Sequence, residues 1–200
     1  VAELSEVKQR FIRETLCDFR ENGADLSEEQ KARFTEINTK LAMLSQSFGE
    51  HVLDSTNAWE YVTDKEAELA GLPESARENA RQDALAKGYG TEAAPQWRFT
   101  LQFTSVHPVL TFADHEELRS RIWHAMNDKG TGQYDTTGFI NEILTLRAEK
   151  AAMLGYEKYS DYVTARRMAG TGMTALNFIN DLHDRVKPAF EAEQEAIRHF

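Results

Sequence analysis

The feature that most constrains this chain is an apolar seam made by Phe34, Ile37, Leu41, Leu44, Phe48 and Val52, which are separated by steps of three and four residues. A strand would send members of such a series to opposite faces, whereas an α-helix gathers them on one stripe. The series opens at Ser27-Glu28-Glu29-Gln30, a capping box in which the Ser hydroxyl and the Gln side chain satisfy each other's backbone amides. A long helix packed along one neighbour is therefore predicted. An earlier run of helical spacing, Leu4, Val7, Phe11, Ile12, Leu16 and Phe19, stops at Asn22-Gly23. Residues 1–57 are thus expected to form a helical hairpin, with the seam of the second helix lying on the first.

Residues 58–113 read differently. Trp97, Phe99, Leu101 and Phe103 alternate with Arg98, Thr100 and Gln102, the period of two that puts one face of a strand on a core and the other in water. Trp59, Tyr61 and Thr63 give a weaker match, and the two strands are expected to pair across a helical excursion. That excursion comprises a short turn, Asp64 to Leu69, stopped by Gly71-Leu72-Pro73, and a charged helix, Glu74 to Lys87, stopped by Gly88.

Residues 114–200 are expected to be helical again. Asp114 and Glu117 suggest a capping box for a helix carrying Leu118, Ile122, Trp123 and Met126, broken at 127–132. Thr136 to Leu154 should turn Phe139, Ile140, Ile143, Leu144 and Leu146 inward, and Tyr156 to Met168 should form a further helix. Thr174 to Phe200 closes the chain with Leu176, Ile179, Leu182, Val186 and Phe190, and Pro188 is expected to kink or restart this helix. The fold class expected is mainly α: an elongated helical body with a long N-terminal hairpin and a small two-stranded β element.

Charge removes one class of function. With 33 acidic and 23 basic side chains the net charge is −10, and no stretch concentrates Lys and Arg as a phosphate backbone requires, so no nucleic-acid partner is expected. No run of 18 apolar residues occurs and VAELSEVKQR has no apolar leader region, so no membrane partner is expected. Cys17, the single cysteine, excludes an internal disulfide framework and fits a reducing, cytoplasmic setting. The start at Val1 rather than Met, and the unstopped helical pattern from Glu191 to Phe200, suggest an excerpt of a longer chain.

Metal chemistry needs side chains aimed at one point. In H-E-x-x-H two imidazoles one helical turn apart hold the metal, while the Glu between them activates water. Here the residues four after His51, His107, His115, His124 and His183 are Ser55, Thr111, Arg119, Asp128 and Lys187. His115-Glu116 begins the pattern and ends on Arg119. Two weaker pairs, His124 with Asp128 and Glu195 with His199, read as solvated pairs one turn apart, and so does the alternation Glu191, Glu193, Glu195. Neither pair has an evident third ligand. There is no G-x-S-x-G elbow or phosphate-binding loop, and Gly130-Thr131-Gly132 and Gly170-Thr171-Gly172 read as interhelical turns.

These residues nevertheless stand in a recognisable order. Residues Leu41 to Trp59, LAMLSQSFGEHVLDSTNAW, then Glu68-Leu69-Ala70-Gly71-Leu72-Pro73-Glu74, resemble the helix-to-strand passage of the M3 metallopeptidases, the family of thimet oligopeptidase, oligopeptidase A and peptidyl-dipeptidase. Ile140 to Tyr159, INEILTLRAEKAAMLGYEKY, and Met168-Ala169 resemble the same family, in one order from about Asp25 to Phe200.

The resemblance implies a helical molecule in which two bodies flank a deep channel with zinc at its floor. It implies hydrolysis of peptide bonds in short peptide substrates, with zinc as cofactor of the full-length protein. There a H-E-x-x-H helix and a further Glu hold the metal, and the motif Glu takes a proton from bound water. This sequence departs from the family at that point, since the motif is absent and is expected downstream. No catalytic, metal-binding or cofactor-binding residue is carried over, and the substrate-binding residues stay unassigned.

The chain is accordingly expected to be a scaffold, channel-wall segment, inactive alone and binding no zinc itself. Such a segment, lacking its core partner, could self-associate. The alternative is a non-catalytic helical module that binds peptides or proteins; a third reading, a cryptic metal site at His124, Asp128, Glu195 or His199, would show as bound metal.

Overall fold

The computed structural model describes residues 4–200; residues 1–3, the first part of the expected hairpin, lie outside them. The first helix, α1, spans Glu6–Glu21 and ends as its sequence dictates. Gly23 takes φ +87°, its amide donates to the Arg20 carbonyl at 2.9 Å, and the Ala24 amide donates to Phe19 at 3.0 Å. These are the two closing bonds of a Schellman cap, which a residue with a Cβ would reach only under strain. The capping box then starts α2 (Glu28–Ala58): the Gln30 amide donates to Ser27 Oγ at 3.3 Å and the Ser27 amide to Gln30 Oε1 at 3.0 Å.

Strand β1 (Glu60–Thr63) pairs antiparallel with β2 (Trp97–Thr100) in the register Glu60↔Thr100, Tyr61↔Phe99, Val62↔Arg98 and Thr63↔Trp97. Between them lie a 3₁₀ turn at Glu66–Leu69 and α3 (Glu74–Ala86). The remaining helices are α4 (Phe103–Phe112), α5 (Glu116–Asn127), α6 (Thr137–Met153), α7 (Tyr159–Thr164) and α8 (Gly172–Arg198). The described residues are therefore mainly α, with one small antiparallel sheet.

Several local expectations are corrected. The second strand stops at Thr100, and Phe103, which the period of two assigns to the strand, begins α4. The Ser105 hydroxyl takes the Thr100 amide at 3.0 Å and so ends the strand. At α5 the cap is His115, whose Nδ1 accepts from the Leu118 amide at 3.2 Å, and not Asp114. The Asp114 amide is held by the Ala70 carbonyl at 2.8 Å, which keeps that residue in the preceding turn. Ile140 and Leu144 are exposed rather than inward, α7 is only six residues long, and α8 runs through Pro188 without restarting.

By packing the chain divides into two compact units. One comprises residues up to Ala42 together with Glu142–Phe200; the other is Met43–Asn141. In the first unit Phe34, Ile37, Leu146 and Ala151 are buried. Here α2 is joined to α6 by Arg33, whose Nε and Nη2 each lie 2.7 Å from Glu149, by a Lys40–Glu142 ion pair, and by Lys150 Nζ donating to Asn38 at 2.7 Å. Lys150 also faces the rings of Phe34 and Tyr162. Helix α1 carries its acidic side to Arg166, which meets Glu14, Asp18 and Glu21 at 2.7, 2.6 and 3.1 Å. Much of its apolar stripe is exposed: Phe11 is 70% exposed and Phe19 62%.

The second unit holds the larger buried cluster: Leu69, Leu72, Ala80, Trp97, Phe99, Leu101, Val106, Val109, Ala113, Leu118 and Ile122. It is built on the face of β2 that alternation assigns to the core, closed over by α3, α4 and α5. In the same unit the Gly130 amide donates to Ser55 Oγ at 3.2 Å, and the amide and hydroxyl of Thr136 both donate to the Gly130 carbonyl.

Candidate functional site

The face of β2 assigned to water holds a charged node of the second unit. Arg98 is 8% exposed; its Nε donates to Glu60 at 2.7 Å and its Nη1 to Asp83 at 2.5 Å, while the Tyr89 hydroxyl donates to Glu60. The register that sets Arg98 beside β1, and the packing of α3 on β2, bring these groups together. The hydrogen bonds from Tyr89 and then Arg98 hold the Glu60 carboxyl below the usual carboxylate range. The bond to Glu60 raises the Tyr89 phenol. Alternation alone places Arg98 in solvent. An ion-paired arginine can be buried where a lone one cannot, and that depends on Asp83 and Glu60 arriving from other elements.

Beside this node lies a cleft of about 490 Å³, floored by Leu72, Phe99 and Val109 and edged by Asn57, Asp83 and Gln102. Much of its polar lining is already paired: Gln102 Nε2 donates to Asn57 Oδ1 at 3.0 Å and Asp83 holds Arg98. Pro108, in the middle of α4 and on the lining, has no amide to give, so the Thr104 carbonyl four residues earlier lacks its helical donor. No His, Cys or Lys lines the cleft, so its lining offers no imidazole, thiol or amine for nucleophilic or base chemistry.

The histidines are dispersed. His124 stacks edge-on against Trp123 at 5.0 Å, and the Asp128 backbone amide caps the helix by donating a hydrogen bond to the His124 carbonyl at 2.9 Å. His107 stacks on Phe103 and His115 caps α5. Glu195 and His199 do meet, at 2.8 Å, exposed and shared with Arg198, which is the solvated-pair arrangement. His51 packs edge-on against Phe139 at 4.9 Å, and its Nδ1 is buried without a hydrogen-bond partner. Cys17 is half-buried on α1. Among the described residues no three His, Cys, Asp or Glu side chains are grouped so that they could hold a metal ion, so these residues do not fit the zinc that the resemblance implies. Among them, too, no helix is long and apolar enough to cross a membrane.

Comparison with known proteins decides the family. The family model described as peptidase family M3 matches residues 109–200. Oligopeptidase A of Haemophilus influenzae is 36% identical over 205 positions that take in all of this chain and 29% of that protein. The chain belongs to peptidase family M3. Oligopeptidase A of Escherichia coli is 34% identical over the whole chain and 29% of its own length. A dipeptidyl carboxypeptidase of Escherichia coli is 28% identical over 80% of this chain and 23% of its own length. The chain thus spans about three-tenths of the length of the oligopeptidases A it matches, and the M3 match covers the helical residues from α4 to the last residue.

Proposed function

We propose that this chain is one scaffold segment of a zinc-dependent oligopeptidase, supplying part of the wall of a channel in which short peptides are hydrolysed, in the cytoplasm, and that it performs no hydrolysis alone. One observation carries the reading: the whole chain aligns with oligopeptidase A while covering 29% of that protein. The absence of H-E-x-x-H from the sequence, and of any three-ligand grouping among the described residues, supports assigning the zinc ligands elsewhere in the protein. The contribution of these residues is mechanical. Buried clusters and cross-element ion pairs hold helices rigidly, and a rigid wall is what positions a peptide for attack by groups it does not itself supply.

The test is expression of the complete reading frame. The full-length protein should cleave short unstructured peptides, lose that activity to a chelator and regain it with zinc, and the 200-residue chain should show none. A complete reading frame without H-E-x-x-H would overturn the reading. The alternative of a non-catalytic binding module draws on the polar cleft; it predicts zinc-independent peptide uptake by the 200-residue chain in calorimetry.

A further inference from the structure

Helix α8 is amphipathic in a way that the first unit does not use. Leu176, Ile179, Leu182, Val186 and Phe190 follow at steps of three and four along one face, and each is between 49% and 60% exposed. The face runs for about 21 Å at the rise of an α-helix. Exposed apolar area of this extent marks an interaction surface. We propose that it is the docking surface for helices of the same polypeptide that lie outside these 200 residues, an inference that rests on the proposed function above.

Three observations select that occupant. The spacing of the stripe matches the ridges and grooves of another helix. The flanks are acidic on balance: α8 carries Asp181, Asp184, Glu191, Glu193 and Glu195 against Arg185, Lys187 and Arg198. All three of these Arg and Lys cations are already paired within the helix, Arg185 with Asp181 at 2.9 Å, Lys187 with Glu191 at 3.8 Å and Arg198 with Glu195 at 3.2 Å. A lipid surface would require a cationic rim instead.

A second copy of the chain fits less well, because α8 is not alone. Helix α1 exposes Val7, Phe11, Leu16 and Phe19, and in the second unit α4 and α5 expose Phe103, Leu110, Phe112 and Trp123. A two-fold dimer covers one self-complementary patch, and apolar side chains exposed on α1, α4, α5 and α8 call for a larger body. The relatives supply such a body, since this chain accounts for 29% of their length.

Hydroxyl-radical footprinting of the full-length protein and of the 200-residue chain tests this. Leu182, Val186 and Phe190 should become about tenfold less reactive in the full-length monomer, as side chains enclosed in a close-packed interior do. Met168, which stands fully exposed on the segment before α8, reports the unprotected level in the 200-residue chain. Unchanged reactivity of the stripe in the full-length monomer, protection that appears only as protein concentration rises, or a reading frame that ends at Phe200 would overturn the inference. Val186→Asp in the full-length protein should raise the reactivity of Leu182 and Phe190. The two proposals fail separately: a full-length protein without peptidase activity but with a protected stripe sinks the enzyme reading alone. An active one with a reactive stripe sinks the docking surface alone.

Discussion

Arg98 of β2 and Glu60 of β1 are joined at 2.7 Å, and a single guanidinium thereby ties the sheet to α3 through Asp83 on its other arm. The geometry uses the fork of arginine, because two carboxylates are met by different nitrogens of one planar group.

Arg98→Met should therefore destabilise the second unit by about 1.5–3 kcal/mol, the range for hydrogen bonds to charged groups, held below the cost of breaking a fully buried pair because Glu60 and Asp83 remain partly in water. Arg98→Lys should recover only part of this. Urea unfolding of both variants measures it, and equal stability of the Arg98→Met variant and the unaltered chain would dismiss the node as a stabilising element.

Acid should act through the same node. The folded-state pKa of Glu60 lies below its ordinary 4.5, so the folded state binds fewer protons there than the unfolded state. Its contribution is present above about pH 4.5 and is lost as the pH falls through the lower, folded value. The slope of stability against pH below 4.5 should be shallower in Glu60→Gln, as read from denaturation midpoints between pH 3 and 5 (about the range where carboxylates titrate).

Gly71 and Gly88 make a matched pair. Both have positive φ, +80° and +83°, but a Cβ on Gly71 would stand 2.2 Å from the Phe112 carbonyl oxygen, whereas Gly88 has open space. Gly88→Ala should cost only the left-handed conformation, about 1–2 kcal/mol. Gly71→Ala should cost clearly more, since backbone must move, and thermal melts of the two variants give the difference directly.

His115→Ala removes the acceptor for the Leu118 amide and should lower stability by about 1 kcal/mol, while His115→Ser should restore most of it. An unchanged melting temperature in the Ala variant would show that solvent replaces the cap without loss.

Expectations drawn from neighbouring residues are met where the deciding interaction is itself local. The Ser27–Gln30 capping box, the glycine stop at Gly23 and the alternation of Trp97 and Phe99 involve groups within a few residues of one another, and each stands as expected. Phe103 shows the limit. It continues the alternation, yet the Ser105 hydroxyl claims the Thr100 amide and the chain turns into α4. The candidate site is hardly legible in the sequence, since Arg98 reads as a solvent-facing strand residue until Asp83 and Glu60 are placed around it.

The family, too, is readable from residue order, because a similar ordered run of residues is carried by the chain whatever its fold. What the linear order leaves open is which apolar stripes find a neighbour. The stripes of α1, α2 and α8 are alike in spacing, yet Ile37 of α2 is fully buried while Phe11 of α1 and Leu182 of α8 stand in solvent. Periodicity sets which side of a helix is apolar. Only the three-dimensional arrangement decides whether that side is covered, because burial is a property of the pair of surfaces and not of either alone.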